Sequence, residues 1–238
     1  MTLKESLSTL MEYLLISSMI SFLFFDSKWF FIASIPGYFV YRKMTKEKYK
    51  KRRDEIIREQ FCSMIESVST SLSAGLSVEN AFSESKKEME KLYGEDSLIV
   101  MEISDMMQKI SCNKPIEVCL KDFSMRSNIQ EIKDFSIIFK EAKRSGGSFK
   151  DIIQKTVFMI REKTNTEKEI AVLLRGKMLE QKVMNIIPFI IIGYLRLSSK
   201  DYIKVLYHNM AGIIVMTGCL LIYVISYIIS TKIATIEV

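Results

Sequence analysis

The chain has 238 residues, 48% hydrophobic and 26% charged, with a formal net charge of +6. It is too polar to lie wholly in a membrane, and its apolar residues fall in blocks too dense for a simple water-soluble domain. The positive charge is one local patch: Arg42, Lys43, Lys46, Lys48, Lys50, Lys51, Arg52 and Arg53 against Glu47 carry +7, which leaves −1 elsewhere and gives no reason to expect a nucleic-acid partner.

The first apolar stretch, Ser6 to Phe25, is broken only by Glu12, and Tyr13 to Phe25 is uncharged. Asp26-Ser27-Lys28 supplies a turn, and Trp29 to Tyr41 is a second uncharged window. Thirteen residues fall short of the ~20 that cross a bilayer as helix. The flanks extend each window, and Tyr13, Trp29 and Tyr41 suit the water interface. Residues 1–41 are therefore predicted to form a transmembrane hairpin. With no basic leader beyond Lys4 and no small-residue cleavage site, this stretch is expected to remain in the mature protein.

The basic run Arg42 to Arg53 follows directly. It reads as a topology anchor drawn to anionic headgroups, on a juxtamembrane helix or linker over residues 42–60. From about Thr45 to Leu174 apolar residues recur at three and four, and the alternation of strands is missing. The stripes are Ile57, Phe61, Met64 or Ile65, Val68 and Leu72; Val78, Ala81, Phe82, Ser85 and Met89; and Ile99, Ile103, Met106, Met107 and Ile110. They continue at Ile116, Cys119, Leu120 and Phe123; at Ile132, Phe135, Ile138, Phe139 and Ala142; and at Phe149, Ile152, Ile153, Thr156, Val157 and Ile160.

Between stripes stand helix-ending and helix-starting residues. Gly75-Leu76-Ser77 offers a C-terminal glycine and an N-cap serine. Asn113-Lys114-Pro115 sets Pro115 in a first helical turn. Ser145-Gly146-Gly147-Ser148 ends one helix and caps the next, with Asp151 completing a Ser-x-x-Asp box. An all-α, six-helix cytoplasmic bundle over residues 61–175 is expected. An offset of 71 residues lays Gly75-Leu76-Ser77-Val78 on Gly146-Gly147-Ser148-Phe149 and Ala81-Phe82 on Ile152-Ile153, as two three-helix repeats would, although any pair of helix-Gly-Ser-helix junctions superposes as well.

Val183 to Leu195 is a third uncharged window, flanked by Lys182 and Arg196, which can snorkel outward. Ile170, Ala171 and Leu174 keep helical spacing before it, so a helix from Phe149 to Leu195 is nearly continuous. Pro188 and Gly193 would kink this span. After a turn across Leu197 to Ile203, Val205 to Thr231 runs 27 residues without a formal charge and is the most secure span. Residues 176–231 are thus predicted as a second transmembrane hairpin, with 232–238 as a tail. Two hairpins place both termini and the bundle on one side, and the basic patch makes that side cytoplasmic. Arg196, Lys200 and Lys204 against Asp201 in the second turn oppose this, but are fewer.

The chain offers little catalytic chemistry. Gly176-Lys177 imitates the end of a phosphate loop, but Ala171 stands where glycine is required and Met178 where Ser or Thr is required. His208 is the only histidine, so neither a multi-histidine metal site nor a second-histidine relay can form. Cys62, Cys112, Cys119 and Cys219 lack Cys-x-x-Cys spacing and read as free thiols. Glu12 is either an intramembrane carboxylate or an interfacial one. Met101, Met106 and Met107 suit either an adaptable groove or ordinary packing. No catalytic residue, cofactor or metal is expected.

Gly75-Leu76-Ser77 with Ala81-Phe82, then Arg144-Ser145-Gly146-Gly147 with a long helix ending Ile160-Arg161-Glu162, resembles the cytoplasmic domain of the type II secretion F family. The order Gly176-Lys177-Met178, Asn185-Ile186-Ile187-Pro188, Asp201-Tyr202, Leu206-Tyr207, Asn209, Gly212, Gly218 and the tail Lys232 to Val238 resembles the B-type platform protein of tight-adherence (Tad/Flp) pili. The resemblance covers Phe61 to Val238, and the N-terminal hairpin matches only in kind. It implies a non-enzymatic protein of the cytoplasmic membrane that couples a hexameric secretion ATPase to pilin subunits. A paralogous C-type subunit, membrane lipids and homo- or hetero-oligomers are the further implied partners. The corner Arg144 to Ser148 is the candidate contact for the ATPase, and a membrane-tethered lipid-binding scaffold or sensor is the alternative function.

Overall fold

Helices form wherever the three-and-four periodicity recurs. The structure, a computed structural model, describes residues 35–145, 149–198 and 210–234, together with residues 10, 11, 13, 14 and 18. Among them are seven helices and no strand: α1 (Ile35–Ser73), α2 (Val78–Tyr93), α3 (Leu98–Ser111), α4 (Ile116–Ser127), α5 (Gln130–Ser145), α6 (Phe149–Ser198) and α7 (Met210–Ala234). The all-α expectation holds for these residues. The two predicted turns, Asp26-Ser27-Lys28 and most of Leu197 to Ile203, lie outside the described residues, as do Glu12 and His208.

The chain divides into two compact units, Tyr49–Thr166 and Met1–Lys48 with Glu167–Val238. The divisions fall inside α1 and α6. The first buried apolar residue of that core on α1 is Ile57 and the last on α6 is Ile160. Of the two forms expected for residues 42–60, helix or linker, the structure has helix, because α1 runs unbroken through the basic patch. Lys and Arg are good helix formers, and no Gly or Pro interrupts residues 38–74.

Tyr49–Thr166 contains α2 to α5 and the adjoining lengths of α1 and α6, six helical segments around one core. The stripes read from sequence supply it. Phe61, Phe82, Ile99, Leu120, Phe135 and Ile153 are among its fully buried members, while Met107, Ile110, Phe149 and Ile152 pack at its edge. A chain of aromatic rings threads it. Phe61 meets Phe123 at 6.1 Å and Phe135 at 5.6 Å; Phe135 meets Phe139 at 5.8 Å; Phe139 meets Phe82 at 6.2 Å and Phe149 at 5.3 Å. Rings from α1, α2, α4, α5 and α6 thus share one cluster, mostly in edge-to-face geometry, which adds to the stabilisation from area burial.

Helix ends follow the sequence closely. Gly75 takes φ +90°, with Gly75 N–H donating to Leu72 O and Leu76 N–H to Ser71 O, both at 3.1 Å, which satisfies the last carbonyls of α1. Ser77 caps α2 by accepting Asn80 N–H at 3.3 Å. Asn113, at φ 62°, closes α3 in the same manner as Gly75. One placement differs: Pro115 is the N-cap of α4, one residue before its first turn. Its backbone is extended, with ψ 138°, and its carbonyl accepts Val118 N–H at 3.0 Å.

The 71-residue offset does not divide the bundle into two sets of three helices. It lays α1 and α2 over α5 and α6, and α3 then falls on residues 169–182, inside the uninterrupted α6.

Candidate functional site

Most of the basic patch on α1 is open to solvent. Lys43, Lys46, Lys48, Lys50, Lys51, Arg52 and Arg53 are exposed, and Arg42 is half-buried. Over eight residues at 1.5 Å per residue, Lys46 to Arg53 extends roughly 12 Å along the helix. Such a strip can hold an anionic surface by many weak, salt-sensitive attractions.

A charged node missed by sequence reasoning lies within Tyr49–Thr166. Glu131, in the first turn of α5, is 3% exposed. Lys163 Nζ of α6 donates to its Oε1 at 2.9 Å, and Arg58 Nε of α1 lies 3.4 Å from its Oε2, an ion pair without hydrogen-bond alignment. Burial pushes the Glu131 carboxyl up. The Lys163 hydrogen bond, the Glu131 backbone N–H and the charges of Arg58 and Lys163 outweigh that and hold it below the usual value. The node joins the two long helices that pass out of this unit, and Arg161 with Glu66 at 3.2 Å ties the same two. A cleft of 320 Å³ beside it is lined by Glu131, Asp134, Thr156, Met159 and Lys163. No periodicity or motif announces this node, since its residues are far apart in sequence.

Other cross-helix ties surround it. Lys150 Nζ donates to Ser73 O at 2.6 Å, satisfying a terminal carbonyl of α1 from the start of α6. Lys143 pairs with Glu117 at 2.8 Å, and Arg126 pairs with Glu102 and, at 3.2 Å, with Asp105. These hold α5 to α4 and α4 to α3. Cys119 is buried, which raises its thiol pKa, whereas Cys112 is exposed at the end of α3. Met106 is buried and Met101 is exposed, so the methionines of α3 do not share one surface. Among the described residues no group of three or more His, Cys, Asp or Glu is placed to hold a metal ion.

Of the predicted corner, Arg144 is exposed beside Glu141 at 3.7 Å, and Ser145 Oγ donates to Ala142 O at 3.0 Å. Gly146, Gly147 and Ser148 lie outside the described residues. Gly75 and Ser77 stand at the α1–α2 junction as expected, and Pro115 at the α3–α4 junction. The structure therefore does not gather the predicted site residues into one place.

Pro188 and Gly193 lie inside α6, which continues as helix through both. Pro188 has no N–H, so the carbonyl four residues earlier loses its helical donor. One residue along, Tyr223 Oη of α7 donates to Asn185 O at 3.1 Å, and the Tyr223 ring meets Phe189 edge-on at 5.2 Å. Gly176 and Gly193 have open space where a Cβ would stand. Among the described residues one helix, Phe149–Leu195, is long and apolar enough to cross a membrane, and none of its apolar window is buried. Val205 to Thr231, the span ranked first from sequence, lies partly outside the described residues. Its described helix, α7, runs Met210–Ala234 and contains the apolar stretch Ile214–Ser230.

No family model, curated protein or solved structure matches this chain.

Proposed function

We propose that the chain is a non-enzymatic platform protein of the cytoplasmic membrane, of the kind that Tad/Flp-type pili and type II secretion-like machines use to couple a cytoplasmic ATPase to pilin assembly or protein secretion. The observation that carries this reading is α6. One helix supplies Ile153, Val157 and Ile160 to the core of the bundle and, further along, exposes Ile186, Ile187, Ile190, Ile191 and Leu195 as an apolar surface. A helix with both characters is a route for passing movement between a water-facing bundle and a bilayer.

The membrane arrangement in this reading is two hairpins with both termini and the bundle in the cytoplasm. Three ring contacts support the hairpins: Tyr13 lies 5.5 Å from Tyr38 and 5.6 Å from Tyr41, and Phe189 meets Tyr223. Arg42 to Arg53 would rest on anionic lipid. The corner Arg144 to Ser148 would face a hexameric ATPase, the region of Pro188 and Gly193 would receive pilin helices, and a paralogous C-type subunit would complete the platform.

The test is affinity isolation of the full chain from detergent-solubilised native membranes, with partners identified by mass spectrometry. Recovery of a secretion ATPase, lost when the exposed Arg144 is changed to Glu, supports the platform. Recovery of lipid or signalling components alone supports the alternative, a membrane-tethered lipid-binding scaffold or sensor. The exposed basic patch favours that second reading, since it would serve it unaided.

A further inference from the structure

The helix pair α6 and α7 leaves an open groove of 770 Å³. Its floor and walls include Leu174 and Met178 of α6 and Ile225 and Ile229 of α7, with Lys177 and Ser230 at its polar margin. Tyr223, bonded to Asn185 and packed on Phe189, closes the pair beside it. The groove is therefore a place where two packed helices part, and its apolar residues stay uncovered: Ile225 is 56% and Ile229 54% exposed. From Leu174 to Gln181 it follows α6 for roughly 10 Å. Its volume lies in the ~300–1,000 Å³ range of small-ligand sites.

Charge decides among occupants. Over residues 174–182 the chain carries Arg175, Lys177 and Lys182 against Glu180. Lys177 is 80% exposed, and its contact with Glu180 at 3.3 Å is a surface pair three residues apart. Such pairs are weak and readily exchanged for a better anion. An apolar helix seated in the groove would cover Lys177 and Ser230 without offering partners, which is costly. A phosphate over Lys177 with a hydrocarbon tail below satisfies both parts of the groove, through a charge-assisted hydrogen bond and apolar burial.

We propose that this groove binds one anionic phospholipid, its phosphate paired with Lys177 and an acyl chain lying between Met178 and Ile225 and Ile229. The site rests on the membrane reading above: α6 entering the bilayer after the bundle puts Leu174 to Lys182 at the level of the cytoplasmic headgroups.

The full chain, reconstituted in phosphatidylcholine vesicles with and without phosphatidylglycerol, tests this with photoreactive acyl-chain probes of each lipid. Crosslinked residues are read by mass spectrometry. The phosphatidylglycerol probe is expected to label Met178, Ile225 and Ile229 several-fold more than the phosphatidylcholine probe does. Lys177→Glu should abolish that difference, and Ile225→Trp, which fills the groove, should remove the labelling. Ile190 and Ile191, exposed elsewhere on α6, should label with either lipid in every variant. Equal labelling of the groove by both lipids, with Ile190 and Ile191 still labelled, overturns the lipid site and leaves the membrane reading standing. Crosslinks between two copies of the chain through the groove overturn it in favour of helix docking. Loss of labelling at Ile190 and Ile191 in the unaltered chain overturns both.

Discussion

Gln60 Oε1 accepts the backbone N–H of Ile99 at 3.2 Å, joining residues 39 apart in sequence. A side chain of α1 thereby caps the first turn of α3. Ser97 holds the N-cap position but makes no capping bond, and its Oγ is buried without a partner. Gln60→Leu should cost about 1–3 kcal/mol, because a buried N–H loses its acceptor. Ser97→Ala should be close to neutral, against the ~1 kcal/mol that a working N-cap serine contributes. Thermal unfolding of both variants in detergent, followed by circular dichroism, compares them; an equal loss in the two would refute the assignment.

The ring cluster predicts a sharp contrast between two phenylalanines. Phe135 is fully buried against Phe61 and Phe139, so Phe135→Ala should destabilise by about 3–5 kcal/mol. Phe158 lies on α6 at 64% exposure, and Phe158→Ala should change stability by no more than about 0.5 kcal/mol. Denaturant midpoints of the two proteins give the answer.

Glu131 makes stability depend on acidity with a definite sign. Its carboxyl is held below the ordinary value of 4.5 in the fold, so its contribution is complete above that value and disappears as pH falls through the lower folded value. Unaltered protein should therefore lose stability on acidification below about pH 4.5, and Glu131→Gln should lose less over the same range. At neutral pH, Glu131→Gln should cost about 1–3 kcal/mol. The larger penalty of a fully buried pair is not expected, because Arg58 at 34% and Lys163 at 52% exposure keep access to water. Parallel pH–stability curves for the two proteins would contradict this account.

Gly75→Ala isolates backbone strain from steric clash. A Cβ at Gly75 meets nothing within 4 Å, yet φ is +90°. The substitution should destabilise by about 1–2 kcal/mol through conformation alone. Gly176→Ala, inside α6 and equally open, should instead stabilise by up to ~1 kcal/mol. Opposite shifts in melting temperature are the expected outcome.

Much of the bundle was legible because its signals are local. Ile57, Phe61, Val68 and Leu72 on α1, or Phe135, Phe139 and Ala142 on α5, repeat at the helical period and are buried for that reason. Gly75, Ser77 and Asn113 act at the backbone within a few residues of themselves. The continuity of α1 across its basic patch was only partly legible, since the run Arg42 to Arg53 was compatible with either helix or linker and helix propensity decided. The candidate coupling corner stayed a matter of resemblance: Arg144 and Ser145 are solvated, and no described contact distinguishes them.

The sequence by itself determined the all-helical class, most of the core and the places where helices stop, because periodicity and capping are encoded over one or two turns. Tertiary structure alone decided which polar groups meet. Gln60 reaches Ile99, and Glu131 draws in Arg58 and Lys163, only after α1, α3, α5 and α6 are packed. The same holds for the groove beside Tyr223: its apolar and basic residues are visible in the chain, but the gap between them exists only where two helices lie side by side and part.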